Sequence, residues 1–254
     1  MNFRKIAFAL SMAGTFLCSA EVYDLSKIES WKTPNPLIQQ SSNTLRAKGR
    51  LTVFSKEIYP YDAKKTYTFK GLYRQLPGGS TNNYFRIGIL PLDENKKTIQ
   101  YYASHPNVST NTVLAKAVVA TDDFIIVENG SKWNKSGLTA YNTKPDQSDL
   151  PNNNIIKQVP KSIEQTADGW KISFAKPVGV AIPAGTGVRQ HYQGGWFRFA
   201  GNVSEGKVVS NMKLTGVDVG TKYIQVVIVS GVGVKPDEPT PVIEMRKPAL
   251  EVSE

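Results

Sequence analysis

The chain has 254 residues, a formal net charge of +10, two histidines and one cysteine. A chain of this length can bury a sizeable core without covalent staples, and its single cysteine excludes a disulfide-rich scaffold and zinc sites built from several cysteines. The basic residues are spread in ones and twos with no block of five or more, which predicts a solvated surface and no nucleic-acid partner.

Residues 1–20 have the three parts of a secretory signal peptide. Arg4 and Lys5 form a basic start, residues 6–17 are an apolar run, and three small residues precede the predicted cleavage point. The run is shorter than the roughly 20 residues of a membrane helix, so we expect no membrane span. A lipoprotein anchor at Cys18 is the weaker alternative, because a leucine precedes this cysteine. We therefore predict a secreted, periplasmic or cell-surface protein, with a net charge of about +8 after cleavage.

The sequence after residue 20 predicts a nearly all-β protein. Its apolar runs are short, rich in β-branched and aromatic residues, and bounded by Gly, Pro, Asn and Asp. Tyr67, Phe69 and Tyr73 alternate with other residues, as a strand with one buried face requires. Short strands of this kind predict a β-sandwich. The predicted strands are residues 50–58, 66–74, 84–92, 124–128, 169–174, 196–203, 207–214 and 223–229.

Two segments are predicted to lack regular structure. Residues 142–154 are polar and contain proline, which is typical of a long surface loop. Residues 31–42 are predicted to be irregular, because Pro34 and Pro36 prevent a regular helix.

Several motifs carry a resemblance to a known family. A K-x-Y-x-F-x-G pattern begins at Lys65, a G-I-x-x-x-D pattern begins at Gly88, and Trp196 precedes a Gly-Thr-x-Tyr turn at residues 220–223. Together with the final run at residues 243–254, these motifs resemble the strands of galactose-binding-like jelly-roll modules, among them many bacterial carbohydrate-binding modules. The resemblance implies a secreted jelly-roll β-sandwich whose partner is a polysaccharide or another glycan.

The resemblance also implies how the chain is divided. We expect a signal peptide at residues 1–20, the first half of the β-sandwich at residues 21–111, a small β-rich insertion at residues 112–190, and the second half of the sandwich at residues 191–254.

The candidate catalytic residues do not form a motif. His105 and His191 stand in no recognisable pattern, and serine elbows and phosphate loops are missing from the sequence. The acidic pairs at residues 122–123 and 237–238 are adjacent, and neighbouring residues of a strand point to opposite faces. We therefore predict that the protein is not an enzyme. A small glycan-active enzyme, with two acids brought together across a cleft, is an alternative.

Aromatic residues next to polar ones are the stronger functional signal. Sugar rings present apolar C–H faces that stack on flat side chains, while their hydroxyl groups bond to amides and carboxylates. One such cluster contains Tyr101, Tyr102 and His105, and a second contains Tyr192 and Trp196 beside paired glycines. The sequence thus predicts a noncatalytic carbohydrate-binding protein. If the rings instead fill the core, a structural or adhesive role in an envelope or appendage assembly is the alternative.

The family resemblance further implies a structural calcium ion near the first and last strands. Calcium binds oxygen ligands, and Glu29 and Glu244 are the acids that the resemblance places there.

Overall fold

The structure, a computed structural model, describes residues 20–32 and 37–254. The predicted signal peptide therefore lies outside the described residues, apart from Ala20. Within the described ranges the protein is nearly all β, with a 3-10 turn at Ile28–Ser30 and one helical turn, α1, at Tyr101–Ser104. None of the described helices is long and apolar enough to cross a membrane.

The strands fall into three groups along the chain. The first group is β1 (Glu21–Asp24), β2 (Leu37–Ser41), β3 (Thr44–Lys48), β4 (Leu51–Phe54), β5 (Tyr59–Pro60), β6 (Thr66–Gln75) and β7 (Tyr84–Leu92). The second is β8 (Pro106–Val113), β9 (Phe124–Val127), β10 (Leu138–Tyr141), β11 (Ile155–Ile156), β12 (Ser162–Thr166), β13 (Gly169–Ser173) and β14 (Gly187–His191). The third is β15 (Arg198–Val203), β16 (Val208–Lys213), β17 (Tyr223–Val232) and β18 (Val242–Ser253).

The first and third groups of strands form two large antiparallel sheets. Sheet 1 has the strand order β16-β6-β18-β3-β2, with β1 beside β18. Sheet 2 has the order β15-β7-β17-β4, with β5 beside β17. Each sheet thus combines strands from both ends of the chain, so the two ends form one sandwich-like unit.

The core of this unit lies between the two large sheets. Tyr67, Phe69 and Tyr73 of β6 are buried in it, as their alternation predicts. From sheet 2, Phe85 of β7 faces the same core, and its ring centroid lies 6.3 Å from that of Tyr73. Aromatic pairs at this separation pack favourably, in addition to the apolar area that they bury.

The second group of strands forms two smaller sheets with a separate core. Their strand orders are β11-β10-β14-β8 and β12-β13-β9. The buried side chains include Leu114, Ile125 and Ile172, which belong to a different hydrophobic cluster from the sandwich core. The first and last of these strands pair with each other, with Pro106 opposite His191.

Every predicted strand overlaps a strand of the structure, and one prediction of irregular chain was wrong. The prediction failed at residues 37–41, which form β2 because they pair with β3 at the edge of sheet 1. Pro34 and Pro36 lie outside the described residues. Residues 142–154 contain no strand or helix, as predicted for a loop.

Candidate functional site

The outer face of sheet 2 carries the residues of the candidate site. In β7, Phe85, Ile87 and Ile89 are fully buried in the sandwich core. Because successive residues of a strand point to opposite faces, Tyr84 and Arg86 lie on the face away from the core. The same alternation places Phe54 of β4 on this outer face, since its neighbour in the strand is buried in the core.

One row of residues crosses four strands on this face. Phe199 in β15 lies opposite Gly88 in β7, and Gly88 lies opposite Val227 in β17. Val227 in turn lies opposite Phe54. Gly88 is required in this row, because an added Cβ would lie 1.9 Å from the backbone oxygen of Arg198. The row therefore has a phenyl ring at each end, and the backbones of β7 and β15 lie close together at Gly88.

Two further aromatic residues connect the ends of this row. The ring of Trp196 lies 5.9 Å from that of Phe54 and 4.7 Å from that of Phe197. The Phe197 ring lies 6.5 Å from the Phe199 ring. Between 40% and 50% of the surface of Tyr84, Trp196 and Phe199 is exposed. We call the set of Phe54, Tyr84, Arg86, Trp196, Phe197 and Phe199 the aromatic face.

Arg86 lies among the rings of the aromatic face. Its guanidinium carbon is 4.6 Å from the centroid of the Phe199 ring and 5.5 Å from that of the Tyr84 ring. A guanidinium within about 6 Å of an aromatic face is attracted by the ring quadrupole. These contacts hold a positive charge beside two of the rings of the aromatic face, Tyr84 and Phe199.

Arg198 fixes the segment that carries Trp196. Its side chain is buried and donates hydrogen bonds to the backbone oxygens of Gly195, at 2.8 Å, and Phe197, at 3.2 Å. The other end of its guanidinium donates to the buried carboxylate of Asp218 at 2.7 Å. Arg198 therefore positions the chain on both sides of Trp196 without itself lying on the aromatic face.

Trp196 is the one residue of the sequence-predicted binding site that belongs to the aromatic face. Tyr101 is instead packed between two partners. His105 stacks on its ring at 3.7 Å with an interplanar angle of 9°, and the Arg198 guanidinium carbon lies 4.6 Å from the ring centroid. Gly194 also lies against this ring, where an added Cβ would be 2.3 Å away. The Tyr101 ring, and the face of His105 that stacks on it, are therefore less available to a ligand than exposed rings would be.

The backbone brings the two predicted aromatic clusters together. The Tyr192 N–H donates to the His105 carbonyl at 2.9 Å. The carbonyl of Tyr102 is hydrogen-bonded to Nδ1 of His191. Tyr192 is exposed over half of its surface, and Tyr102 is more buried than Tyr192. These hydrogen bonds bring the two clusters together where β14 passes α1. Binding of a ligand by Tyr101, Tyr102, His105 and Tyr192 stays a prediction.

His191 is fully buried at this junction. Its Nε2 accepts a hydrogen bond from Nε of Arg189 at 2.9 Å, and Arg189 forms a buried ion pair with Asp149 at 2.8 Å. Burial of the imidazole lowers the pKa of His191 to about 4, and the positive charge of Arg189 acts in the same direction. His191 is therefore a neutral acceptor in this network at neutral pH.

The two acids proposed as calcium ligands are in different surroundings. Both carboxylate oxygens of Glu244 accept hydrogen bonds from arginines, at 2.7 Å from Arg74 and 3.0 Å from Arg46, and Arg246 also donates. These donors outweigh the effect of burial and lower the pKa of Glu244 to about 2.

Glu29 lies in the 3-10 turn, beside a cleft of about 450 Å³ that Tyr23 and Tyr59 also line. Among the described residues no group of three or more His, Cys, Asp or Glu side chains is arranged to hold a metal ion. A calcium site at Glu29 and Glu244 stays a prediction.

The adjacent acids of the sequence have local structural partners. Asp122 accepts a hydrogen bond from the Val119 N–H at 2.9 Å and so closes a turn before β9. Glu238 accepts hydrogen bonds from the side chains of Ser80 and Asn82. Both acids stabilise loops in this structure.

Sequence reasoning missed most of the aromatic face. Phe54, Tyr84, Arg86 and Phe199 all lie within predicted strands, at positions that alternate with core residues. This alternation could have been used to predict the outer face of the sheet, since it places Tyr84 and Arg86 on the opposite face from the buried Phe85. The proximity of Phe54 to Trp196 depends on the strand order and the register, which no local pattern encodes.

The chain matches no protein-family model, and neither a curated protein nor a solved structure is similar to it at a significant level.

Proposed function

We propose that the protein binds carbohydrate noncatalytically through the aromatic face. The observation that carries this proposal is a cluster of three exposed rings at the outer face of sheet 2. Tyr84 and Phe199 lie in its strands, and Trp196 lies just before β15 with its ring 5.9 Å from that of Phe54 in β4. Exposed large apolar side chains that cluster on a soluble protein mark an interaction surface. Flat rings fixed by a sheet give a platform on which the C–H face of a pyranose can stack.

Polar groups next to the rings provide partners for sugar hydroxyls. Asn202 of β15 lies opposite Arg86, which lies opposite Val229, and Val229 lies opposite Thr52 of β4. Asn202 and Thr52 are exposed. An amide and a hydroxyl group on either side of a guanidinium offer both hydrogen-bond donors and acceptors beside the stacking surface.

The strand order supports the finer proposal of a galactose-binding-like jelly roll. Eight strands of the sandwich divide equally between the sheets: β3, β6, β16 and β18 lie in sheet 1, and β4, β7, β15 and β17 lie in sheet 2. Consecutive members of these eight change sheet at every step except from β7 to β15, which pair with each other in sheet 2. Two four-stranded sheets of this kind are expected for a jelly roll. In this proposal, strands β8–β14 form an insertion between the fourth and fifth of these eight strands, and the protein acts outside the cytoplasm after removal of residues 1–20.

The test is binding of the protein, residues 21–254, to a glycan array, followed by titration with the best ligand. Trp196→Ala and Phe199→Ala should each weaken binding about tenfold or more, because each removes a stacking surface worth about 1.4 kcal/mol. Phe124→Ala is the matched control, since this ring lies in β9 of the small sheets under the Lys171 ammonium group. Binding by Phe124→Ala should equal that of the wild type.

Two results would contradict this proposal. If Tyr192→Ala abolishes binding while Trp196→Ala and Phe199→Ala do not, the site lies at the junction of β14 and α1 instead. If no glycan on the array binds the folded protein, the exposed rings fit the structural or adhesive alternative, in which the aromatic face contacts another protein.

A further inference from the structure

Among the described residues, Arg86 is the one partly buried arginine that has no carboxylate partner. Arg46, Arg74, Arg189, Arg198 and Arg246 each form an ion pair with Asp or Glu. Arg50 is exposed to water at the turn before β4. Arg86 is half-buried, and no acceptor among the described residues hydrogen-bonds to its guanidinium.

The surroundings of Arg86 leave its charge uncompensated. Its Nε atom is buried without a partner, and the rings of Tyr84 and Phe199 cover its flanks. Partial burial of a cation without an anionic partner costs free energy, and the attraction of two rings offsets only part of that cost. A ligand that brings a negative charge would remove the remaining cost.

No residue of sheet 2 supplies that negative charge. None of its strands, β4, β5, β7, β15 and β17, contains an aspartate or a glutamate. The next positions across the sheet from Arg86 are the uncharged Asn202 and Val229. A ligand that lies along the aromatic face therefore meets one fixed positive charge and no negative charge from the sheet itself.

From this arrangement we infer that Arg86 selects an anionic sugar unit, one that carries a carboxylate or a sulfate ester. A guanidinium matches the geometry of both groups and forms charge-assisted hydrogen bonds with them. The sugar ring would stack on the aromatic face while its anionic group reaches the guanidinium between Tyr84 and Phe199. This inference rests on the proposed function and adds the charge of the ligand to it.

The test compares matched acidic and neutral polysaccharides. Polygalacturonate and its fully methyl-esterified form share one backbone and differ in the carboxylate. Carrageenan and desulfated carrageenan share one backbone and differ in the sulfate ester. Binding is measured by isothermal titration calorimetry at two salt concentrations, because long-range attraction to a basic protein is screened by salt and a contact with a half-buried guanidinium is screened less.

The variants separate a specific contact from a general loss of charge. Arg86→Gln should weaken binding of the preferred acidic polymer at least tenfold and leave binding of its neutral partner within about twofold. Arg86→Lys keeps the charge without the planar fork and should give an intermediate loss. Lys213→Gln is the matched control, because this exposed lysine of β16 lies on the outer face of the opposite sheet.

Each outcome has a defined meaning. Tighter binding of an acidic polymer that Arg86→Gln reduces and Lys213→Gln does not would support the inference. Equal binding of acidic and neutral partners in every pair, or an equal loss for both in Arg86→Gln, would overturn it and leave the proposed function intact. If no polysaccharide binds at all, the proposed function fails and the inference fails with it.

Discussion

His191 links the stability of the protein to pH through one buried imidazole. The unfolded chain protonates this residue near its usual pKa of 6.5, whereas the folded chain keeps it neutral down to about pH 4. Between these values the unfolded state binds more protons, so stability falls as pH falls. We expect the free energy of unfolding to decrease by about 3 kcal/mol from pH 7 to pH 4 because of this residue.

The measurement is urea unfolding at pH 7, 5.5 and 4 for the wild type and for His191→Gln. Glutamine retains an oxygen that can accept the hydrogen bond from Arg189 and does not titrate in this range. The variant should therefore lose less stability than the wild type over the same interval. Parallel pH profiles for the two proteins would show that His191 does not carry the effect.

Of the individual residues of the aromatic face, only Trp196 was predicted from the sequence as a binding residue. A tryptophan beside paired glycines stands out locally, and the structure places it with 40% of its surface exposed. Arg86 has no such local signal, because its significance comes from rings and strands distant in the sequence. The family resemblance suggested Glu244 as a calcium ligand, and no local pattern predicted the three arginines that form ion pairs with its carboxylate.

Strand β15 is held close to β7 by the absence of a side chain at Gly88. The β15 strand has a bulge between Phe199 and Gly201, and the backbone of Arg198 and Phe199 approaches the Gly88 Cα closely. Bulges of this kind re-aim side chains at the edge of a sheet. Here the bulge begins at Phe199, whose side chain belongs to the aromatic face.

Gly88→Ala should therefore separate β15 from β7. The added methyl group would overlap the Arg198 carbonyl, and we expect a loss of about 3 kcal/mol or more in the free energy of unfolding. Gly195→Ala is the matched control, because the nearest atom to its added Cβ would be 3.8 Å away. Thermal unfolding compares the two variants, and an unchanged melting temperature in Gly88→Ala would show that β15 adjusts without strain.

The strands themselves were largely predictable, and their partners were not. Alternating apolar residues and turn-forming residues predicted residues 66–74 and 84–92 to within one residue. The strand at residues 37–41, LIQQS, was missed, because only Leu37 is buried and buried and exposed positions do not alternate. Which strands become neighbours depends on how two sheets share a core, and that information is spread over the whole chain.

The part of the chain that the structure describes contains two hydrophobic clusters that should respond separately to mutation. Phe85 belongs to the sandwich core, and Ile172 belongs to the core of the small sheets. Each replacement by alanine removes a fully buried side chain and should destabilise its own cluster by about 3 kcal/mol. We expect Ile172→Ala to accelerate amide hydrogen exchange in β9, β12 and β13, and Phe85→Ala to accelerate it in β7 and β17.

Exchange by mass spectrometry on proteolytic peptides resolves these strands. The informative comparison is between the two variants, each of which serves as the control for the other. A uniform increase throughout the chain in both variants would show that the two clusters unfold as one cooperative unit.

The pairing of Pro106 with His191 has a consequence for how the chain reaches this fold. Residues of β7 and β15 that become neighbours are separated by more than a hundred positions in sequence, as Ile89 and Arg198 are. Closure of so long a loop carries an entropic cost that slows the formation of distant contacts. Once β8 and β14 have paired, the intervening strands no longer count toward that loop. Only 13 residues then separate β7 from β8, and six separate β14 from β15. Early assembly of the small sheets would thus shorten the effective loop between β7 and β15 and lower the entropic cost of pairing these two strands.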